Sequence, residues 1–151
     1  MNFIHKQNEP DEFTEWKKTI GSPGNSGEWD DLKNPEKENL HRSLMDEQGS
    51  VCCYCERSIS SSPSHIEHIK PQSVYPDDRF NYSNLLSSCN GDGEKHCGHK
   101  KGNWFDPSLF VSPLDPDCVS YFKFTSAGEI KPTDDPHSRP AAQETIDHLN
   151  L

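Results

Sequence analysis

The sequence has little apolar material and no hydrophobic run long enough to cross a membrane. Only 30% of its 151 residues are hydrophobic, and the mean hydropathy is -0.96. The first residues also lack the apolar segment of a secretory signal peptide. These absences argue against a membrane protein and predict a cytoplasmic, loop-rich chain whose thin core needs an additional staple.

Basic residues are in deficit, with 15 Lys and Arg against 25 Asp and Glu and a formal net charge of -10. Affinity for nucleic acid comes largely from basic contacts with phosphates, so the whole chain is not expected to bind free nucleic acid tightly. Residues 95–101 are an exception, because they carry three lysines and two histidines without an acid. This local cationic segment predicts that a partner or metal ions help to hold an anionic substrate.

Four of the six cysteines form two pairs in the middle of the chain. Cys52 and Cys55 are spaced C-x2-C, and Cys89 and Cys97 are spaced C-x7-C. Two thiolate pairs are the tetrahedral ligand set of a structural zinc, and without an export signal metal binding is favoured over disulfides. Because the gap between Cys89 and Cys97 is wide, His96 could replace one of the thiolates as a zinc ligand. The alternative to a zinc site is a set of buried free thiols. The two remaining cysteines are predicted to lie in the core.

An acid and a histidine stand side by side at the end of a short apolar strand, as Glu67 and His68 before Pro71. Phosphodiester hydrolysis needs a divalent ion and a general base that takes a proton from the attacking water. Glu67 can bind the ion, and His68 can act as the base near neutral pH. Alone, such a pair is more simply an exposed strand end, but between two cysteine pairs it predicts a metal-dependent nuclease. His65, on the same face as Glu67, could touch the metal or the phosphate, but a supporting or surface role is favoured.

Four segments together resemble the HNH endonuclease family, and they are Cys52–Cys55, Glu67–Pro71, Asn84–Cys89 and Cys97–Gly102. The resemblance implies an α+β chain with a small zinc-stapled ββα-metal core and flanking helices. It further implies that Glu67 is a metal ligand, that His68 is the general base, and that Asn84 holds the loop that shapes the base.

The last part of the pattern departs from that family. HNH proteins usually have His or Asn directly after the final cysteine, whereas this chain has Gly98 there and a histidine one residue later. His99 is therefore assigned as the second ligand of the catalytic ion, with Asn103 and His96 as substitutes. The ion itself is expected to be Mg²⁺ or Mn²⁺.

A short helix is predicted to begin near His99 and to bring Lys100 and Lys101 close to substrate phosphates. Solvent-exposed surface lysines are the alternative for this pair. The expected substrate is DNA, with RNA left open.

The flanks narrow the resemblance to the HNH subunit of Septu-type and retron-associated anti-phage defence systems. The segments that carry this likeness are Glu47–Gly49, Cys53–Glu56, Gly98–Asn103 and Pro113–Cys118. In that subgroup the nuclease works with an ATPase subunit, so the resemblance implies an ATPase partner here. Members of the subgroup continue past the last helix of this chain, which predicts that the sequence is truncated.

The chain divides into three predicted parts. Residues 1–50 form a helical segment for scaffolding or partner docking, interrupted by a Gly- and Ser-rich loop at 21–27. Residues 51–110 form the HNH core, and residues 111–151 form a hairpin and a helix. A non-catalytic zinc module that binds nucleic acid or a protein is the alternative function.

Overall fold

The computed structural model describes residues 1–20 and 27–151, so most of the predicted 21–27 loop lies outside the described residues. The helices are α1 (Asp11–Ile20), α2 (Glu36–Glu47), α3 (Gly91–Glu94), α4 (Cys97–Lys101) and α5 (Arg139–Leu149). The strands are β1 (Ser64–His68), β2 (Leu85–Cys89), β3 (Phe122–Phe124) and β4 (Ile130–Pro132). Helices beside two small antiparallel sheets confirm the predicted α+β class. Within this described part, each helix is too short or too polar to cross a membrane.

The first two helices pack one apolar face each onto the central hairpin. In α1, Phe13 is buried and stacks on Trp16. In α2, Leu40 and Leu44 are buried and join Phe13 in a core that also includes Leu85 of β2. The sequence pattern places Pro35 as the first helical residue, but α2 begins one residue later. Proline lacks an N–H donor and is tolerated at this cap position, where no helical donor is needed.

β1 and β2 form an antiparallel hairpin in which Ser64 pairs with Cys89 and His68 pairs with Leu85. Every residue of β2 is buried, because α2 covers one face of the hairpin and α4 covers the other. The hairpin therefore puts Cys89 at one end of the sheet and His68 at the opposite end.

A tight turn precedes the hairpin and carries the first cysteine pair. The N–H of Cys52 donates to the carbonyl of Arg57 at 2.9 Å, and the N–H of Glu56 donates to the carbonyl of Cys52 at 3.0 Å. An isolated bridge between Val51 and Ser58 closes the turn. The backbone thus holds Cys52 close to β2, where the N–H of Cys53 donates to the carbonyl of Ser87 at 3.0 Å.

The connection from β2 to α4 is more contorted than the sequence predicts. Asp92, Glu94 and Cys97 all have positive φ, with values of 46°, 70° and 60°. This left-handed backbone folds the connection back on itself, so α4 begins at Cys97 and not near His99 as predicted. As a result, Gly98 faces β1 from the first turn of α4.

The C-terminal part closes the other side of the main core. β3 and β4 form a second hairpin, and α5 buries Ala142 and Leu149 in the same cluster as Cys52 and Cys97. Asn150 ends α5 in the left-handed conformation, and its side chain donates to the carbonyl of Lys95 at 2.9 Å. The division at residues 50 and 110 stays a prediction.

Candidate metal centre and active site

Four cysteines from three separate elements form one cluster. Cys52 and Cys55 come from the tight turn before β1, called the knuckle turn below, while Cys89 ends β2 and Cys97 begins α4. Their four Sγ atoms lie within 4.8 Å of one another. Among residues 1–20 and 27–151, these four side chains form the one group of three or more Cys, His, Asp or Glu residues close enough to share a metal ion. Three of the four are fully or nearly fully buried, which shields the cluster from solvent. The structure therefore brings the C-x2-C pair and the C-x7-C pair together, as the sequence predicts.

The electrostatics of the cluster fit a bound cation. Hydrogen bonds with neighbouring thiols, Cys53 first, lower the pKa of Cys52. Hydrogen bonds with Cys52, and then with Cys55, raise the pKa of Cys97 far above its usual value. A divalent metal would stabilise all four sulfurs as thiolates and would remove this opposition between Cys52 and Cys97. Four sulfur donors fill a tetrahedral coordination sphere, so the cluster fits a closed metal site.

His96 lies beside the four thiols and not among them. Its Nδ1 is 3.0 Å from the Sγ of Cys97 and 3.9 Å from the Sγ of Cys89. Its Nε2 lies 3.4 Å from Oδ2 of Asp92. With four sulfurs already grouped, His96 is not needed as a substitute for a thiolate.

Glu67 points from β1 toward α4 into the protein interior. Its Oε1 accepts a hydrogen bond from the hydroxyl of Tyr54 at 3.0 Å and pairs with Nζ of Lys101 at 2.9 Å. Its Oε2 lies 3.4 Å from Nε2 of His65. Burial raises the pKa of Glu67, but the hydrogen bond with His65 and the charge of Lys101 outweigh burial and lower it overall. Glu67 is therefore an ionised carboxylate with one oxygen held firmly by the protein.

The two lysines of α4 lie in different environments. Lys101 is 3% exposed, and its ammonium also donates to the backbone carbonyl of His68 at 2.9 Å. Lys100 is exposed. The predicted phosphate contact requires an accessible ammonium. The ammonium of Lys101 lies against the carboxylate of Glu67, whereas Lys100 is the member of the pair on the surface.

His68 leaves β1 by the opposite face from Glu67, as alternation along a strand requires. Its Nε2 lies 3.0 Å from the backbone carbonyl oxygen of Arg79, and the Trp29 ring packs edge-on at 4.4 Å between centroids. Because a carbonyl oxygen only accepts, Nε2 carries the proton and Nδ1 keeps its lone pair. Burial lowers the pKa of His68, which favours this neutral form.

Asn84 holds the loop that positions His68. Its Oδ1 accepts from the N–H of Lys70 at 2.8 Å, and its Nδ2 donates to the carbonyls of Lys70 at 3.0 Å and Asp78 at 3.1 Å. Asp78 directly precedes Arg79, whose carbonyl contacts the His68 ring. Asn84 is 5% exposed, so these hydrogen bonds are shielded from water. The role of Asn84 in shaping a general base stays a prediction.

His65 lies next to both residues that are predicted to hold the catalytic ion. Its ring lies between Glu67 and His99, with 4.1 Å between the centroids of the two histidine rings. His99 is exposed, and its Nδ1 is 3.9 Å from Oε1 of Glu94. Asn103, the other substitute, accepts a hydrogen bond from Ser73 at 2.9 Å. The structure therefore groups Glu67, His65 and His99 on one face of β1, while the imidazole of His68 lies on the other.

Comparison with known proteins gives the site a context. No protein-family profile matches the chain. A protein of Vibrio cholerae serotype O1 biovar El Tor, named as a candidate HNH endonuclease of retron Vc95, is 38% identical over 111 residues. That match covers 69% of this chain and 53% of the relative. The Septu protein PtuB of Bacillus thuringiensis is 32% identical over 68 residues, or 44% of this chain and 24% of PtuB.

The predicted resemblance to retron and Septu HNH proteins is confirmed. The chain spans about half the length of the retron relative and a smaller share of PtuB.

Proposed function

We propose that the chain is a metal-dependent HNH endonuclease that hydrolyses phosphodiester bonds of nucleic acid, with DNA as the first substrate to test. The observation that carries the proposal is the loop that Asn84 holds by hydrogen bonds. Through the carbonyl of Arg79, this loop orients the neutral ring of His68, the residue next to Glu67. A buried, oriented imidazole with a free lone pair is the form that a general base requires. The name of the retron relative points to the same chemistry.

In this proposal Glu67 and His99 hold a divalent ion, Mg²⁺ or Mn²⁺. When bound, the ion supplies charge stabilisation at the phosphate and the leaving oxygen. His68 accepts the proton of the attacking water through Nδ1, while Arg79 keeps the ring in one orientation through Nε2. Lys100, exposed on α4, contacts a phosphate of the substrate.

The cysteine cluster has a structural role in the same proposal, with zinc as the metal. Its four sulfurs leave no position for water, which distinguishes a structural from a catalytic zinc site. It ties the knuckle turn, β2 and α4 together, so that β1, β2 and α4 form the proposed ββα-metal unit. The proposed setting is a cytoplasmic anti-phage complex in which an ATPase subunit offsets the chain's net charge of -10 at the nucleic acid.

A second candidate is a non-catalytic zinc module that binds nucleic acid or a protein. Two observations favour it. Oε1 of Glu67 is already paired with Lys101, and the ring of His68 is covered by Trp29. The two candidates differ in whether removal of the imidazole changes cleavage.

The test is a cleavage assay with Mg²⁺ or Mn²⁺ on double-stranded DNA and on structured RNA, with and without the ATPase. His68→Ala is expected to lower the cleavage rate by roughly 100-fold or more, as for loss of a general base. It should leave the zinc stoichiometry and the fold intact, while the loss of a buried ring lowers the melting temperature. His137→Ala, at an exposed histidine outside the site, is the matched control. Equal cleavage by His68→Ala and the parent would refute the assignment.

A further inference from the structure

Gly98 on α4 lies directly against His65 and Glu67 of β1. A Cβ added at Gly98 would lie 2.7 Å from Nε2 of His65 and closer still to Oε2 of Glu67. A side chain at position 98 therefore has no room beside these two side chains. This is the position directly after the final cysteine, where HNH proteins usually have the His or Asn that this chain lacks. Glu67 and His65 border the space that such a side chain would occupy, and His65 presents an imidazole nitrogen to it.

The orientation of His65 is fixed by a neighbour. Its Nδ1 lies 3.0 Å from Oδ1 of Asn90, in the residue that follows β2. Because Oδ1 can only accept, Nδ1 carries the proton and the neutral ring has its lone pair on Nε2. Histidines that bind metals typically donate their second N–H to an oxygen acceptor in this way.

With the His65 ring neutral, the two atoms that face each other across this space are both acceptors, whereas with the ring protonated Nε2 donates to Glu67. Nε2 of His65 lies 3.4 Å from Oε2 of Glu67, and Oε1 is already held by Tyr54 and Lys101. A lone pair opposite a carboxylate oxygen is stabilised by a proton or by a metal ion that both can bind. Carboxylate oxygens suit Mg²⁺ and Mn²⁺, and imidazole nitrogens suit divalent transition metals. The side chain of His65 is 24% exposed, which leaves a route for ion entry.

We propose that His65 is a ligand of the catalytic divalent ion, bound through Nε2 together with Oε2 of Glu67, in place of the side chain missing at Gly98. Asn90 is its positioning residue. His99 lies against the other side of the His65 ring and completes the site from α4. Water fills the remaining positions, as is usual for Mg²⁺. This inference rests on the proposed endonuclease function.

The test measures Mn²⁺ binding directly, by electron paramagnetic resonance of free Mn²⁺ in titrations of the zinc-loaded protein. His65→Ala is expected to raise the Kd for Mn²⁺ by roughly tenfold or more, and Asn90→Ala to raise it less. His137→Ala should bind like the parent. Excess Mn²⁺ should restore cleavage to His65→Ala but not to His68→Ala, because the first loses a ligand and the second loses a base.

His65→Leu decides the matter if His65→Ala fails to fold, because leucine keeps most of the volume and has no atom that can bind a metal ion. An unchanged Kd in a folded His65 variant overturns this inference and leaves the nuclease proposal standing. Cleavage by a parent that binds no Mn²⁺ also overturns it. A parent that neither binds Mn²⁺ nor cleaves with either ion refutes the proposed function, and the inference falls with it.

Discussion

Replacement of Lys101 by methionine removes the ammonium that neutralises Glu67. Lys101 is 3% exposed, and its Nζ lies 2.9 Å from both Oε1 of Glu67 and the carbonyl of His68. Methionine keeps much of the side-chain volume, so the main change is the loss of a charge and two hydrogen bonds. The carboxylate is 6% exposed and retains only its contacts with Tyr54 and His65.

Breaking a buried ion pair by removing one partner typically costs 3–5 kcal/mol, because it leaves a buried charge uncompensated. The remaining partners of Glu67 place the expected loss at the lower end, about 3 kcal/mol of unfolding free energy. In a Glu67→Gln background Lys101 is itself a buried charge that has lost its carboxylate, so the same Lys101→Met change should cost less than about 0.5 kcal/mol or stabilise the protein. The coupling between the two sites is then about 3 kcal/mol.

Urea unfolding of the zinc-loaded protein, followed by tryptophan fluorescence, measures all four members of this cycle. Lys100→Met is the matched control on the same helix, and its exposed position predicts a change within about 0.5 kcal/mol. A Lys101→Met cost below about 1 kcal/mol, or an equal cost in both backgrounds, would show that Glu67 does not depend on this lysine.

Three further predictions concern the loop, the cysteine cluster and the base. Asn84→Ala should lower the unfolding free energy by about 2 kcal/mol, measured in urea, and should slow cleavage because the loop no longer holds the His68 ring. Cys89→Ser should lower zinc content by metal analysis and cause cooperative unfolding at lower temperature, whereas Cys118→Ala, outside the cluster, should keep the parent's zinc. Trp29→Ala should raise the pKa of His68 in an NMR titration, since burial is the main cause that lowers it. The pKa of His68 is lower in the folded than in the unfolded state, so its protonation lowers the unfolding free energy as the pH falls below the unfolded-state pKa. In Trp29→Ala this decrease in unfolding free energy with falling pH should be smaller.

The sequence predicts the elements whose signals are local. Apolar spacing locates α1 and α2, and the C-x2-C pair with Cys89 and Cys97 predicts the cluster that the structure brings together. The Asn84 loop follows from family resemblance, because spacing alone does not show what an asparagine bonds to. These features depend on residue type and short separation, which a sequence displays directly.

The rest depends on backbone that the sequence does not display. Positive φ angles at Asp92, Glu94 and Cys97 accompany a start of α4 two residues earlier than predicted, which lets Gly98 face β1. The same shift turns Lys101 inward to Glu67 and leaves His99 on the surface. The nearness of His65 to Glu67 follows from strand alternation, because the two residues are two positions apart on one face.

α4 connects the cysteine cluster to the carboxylate. It is five residues long, with Cys97 at its first position and Lys101 at its last. A helix this short is not stable alone, so its placement depends on what anchors its ends. A metal on Cys97 would fix one end, and Glu67 fixes the other through Lys101. The closed cluster therefore sets how near α4 comes to β1, and with it the space that Gly98 leaves for His65.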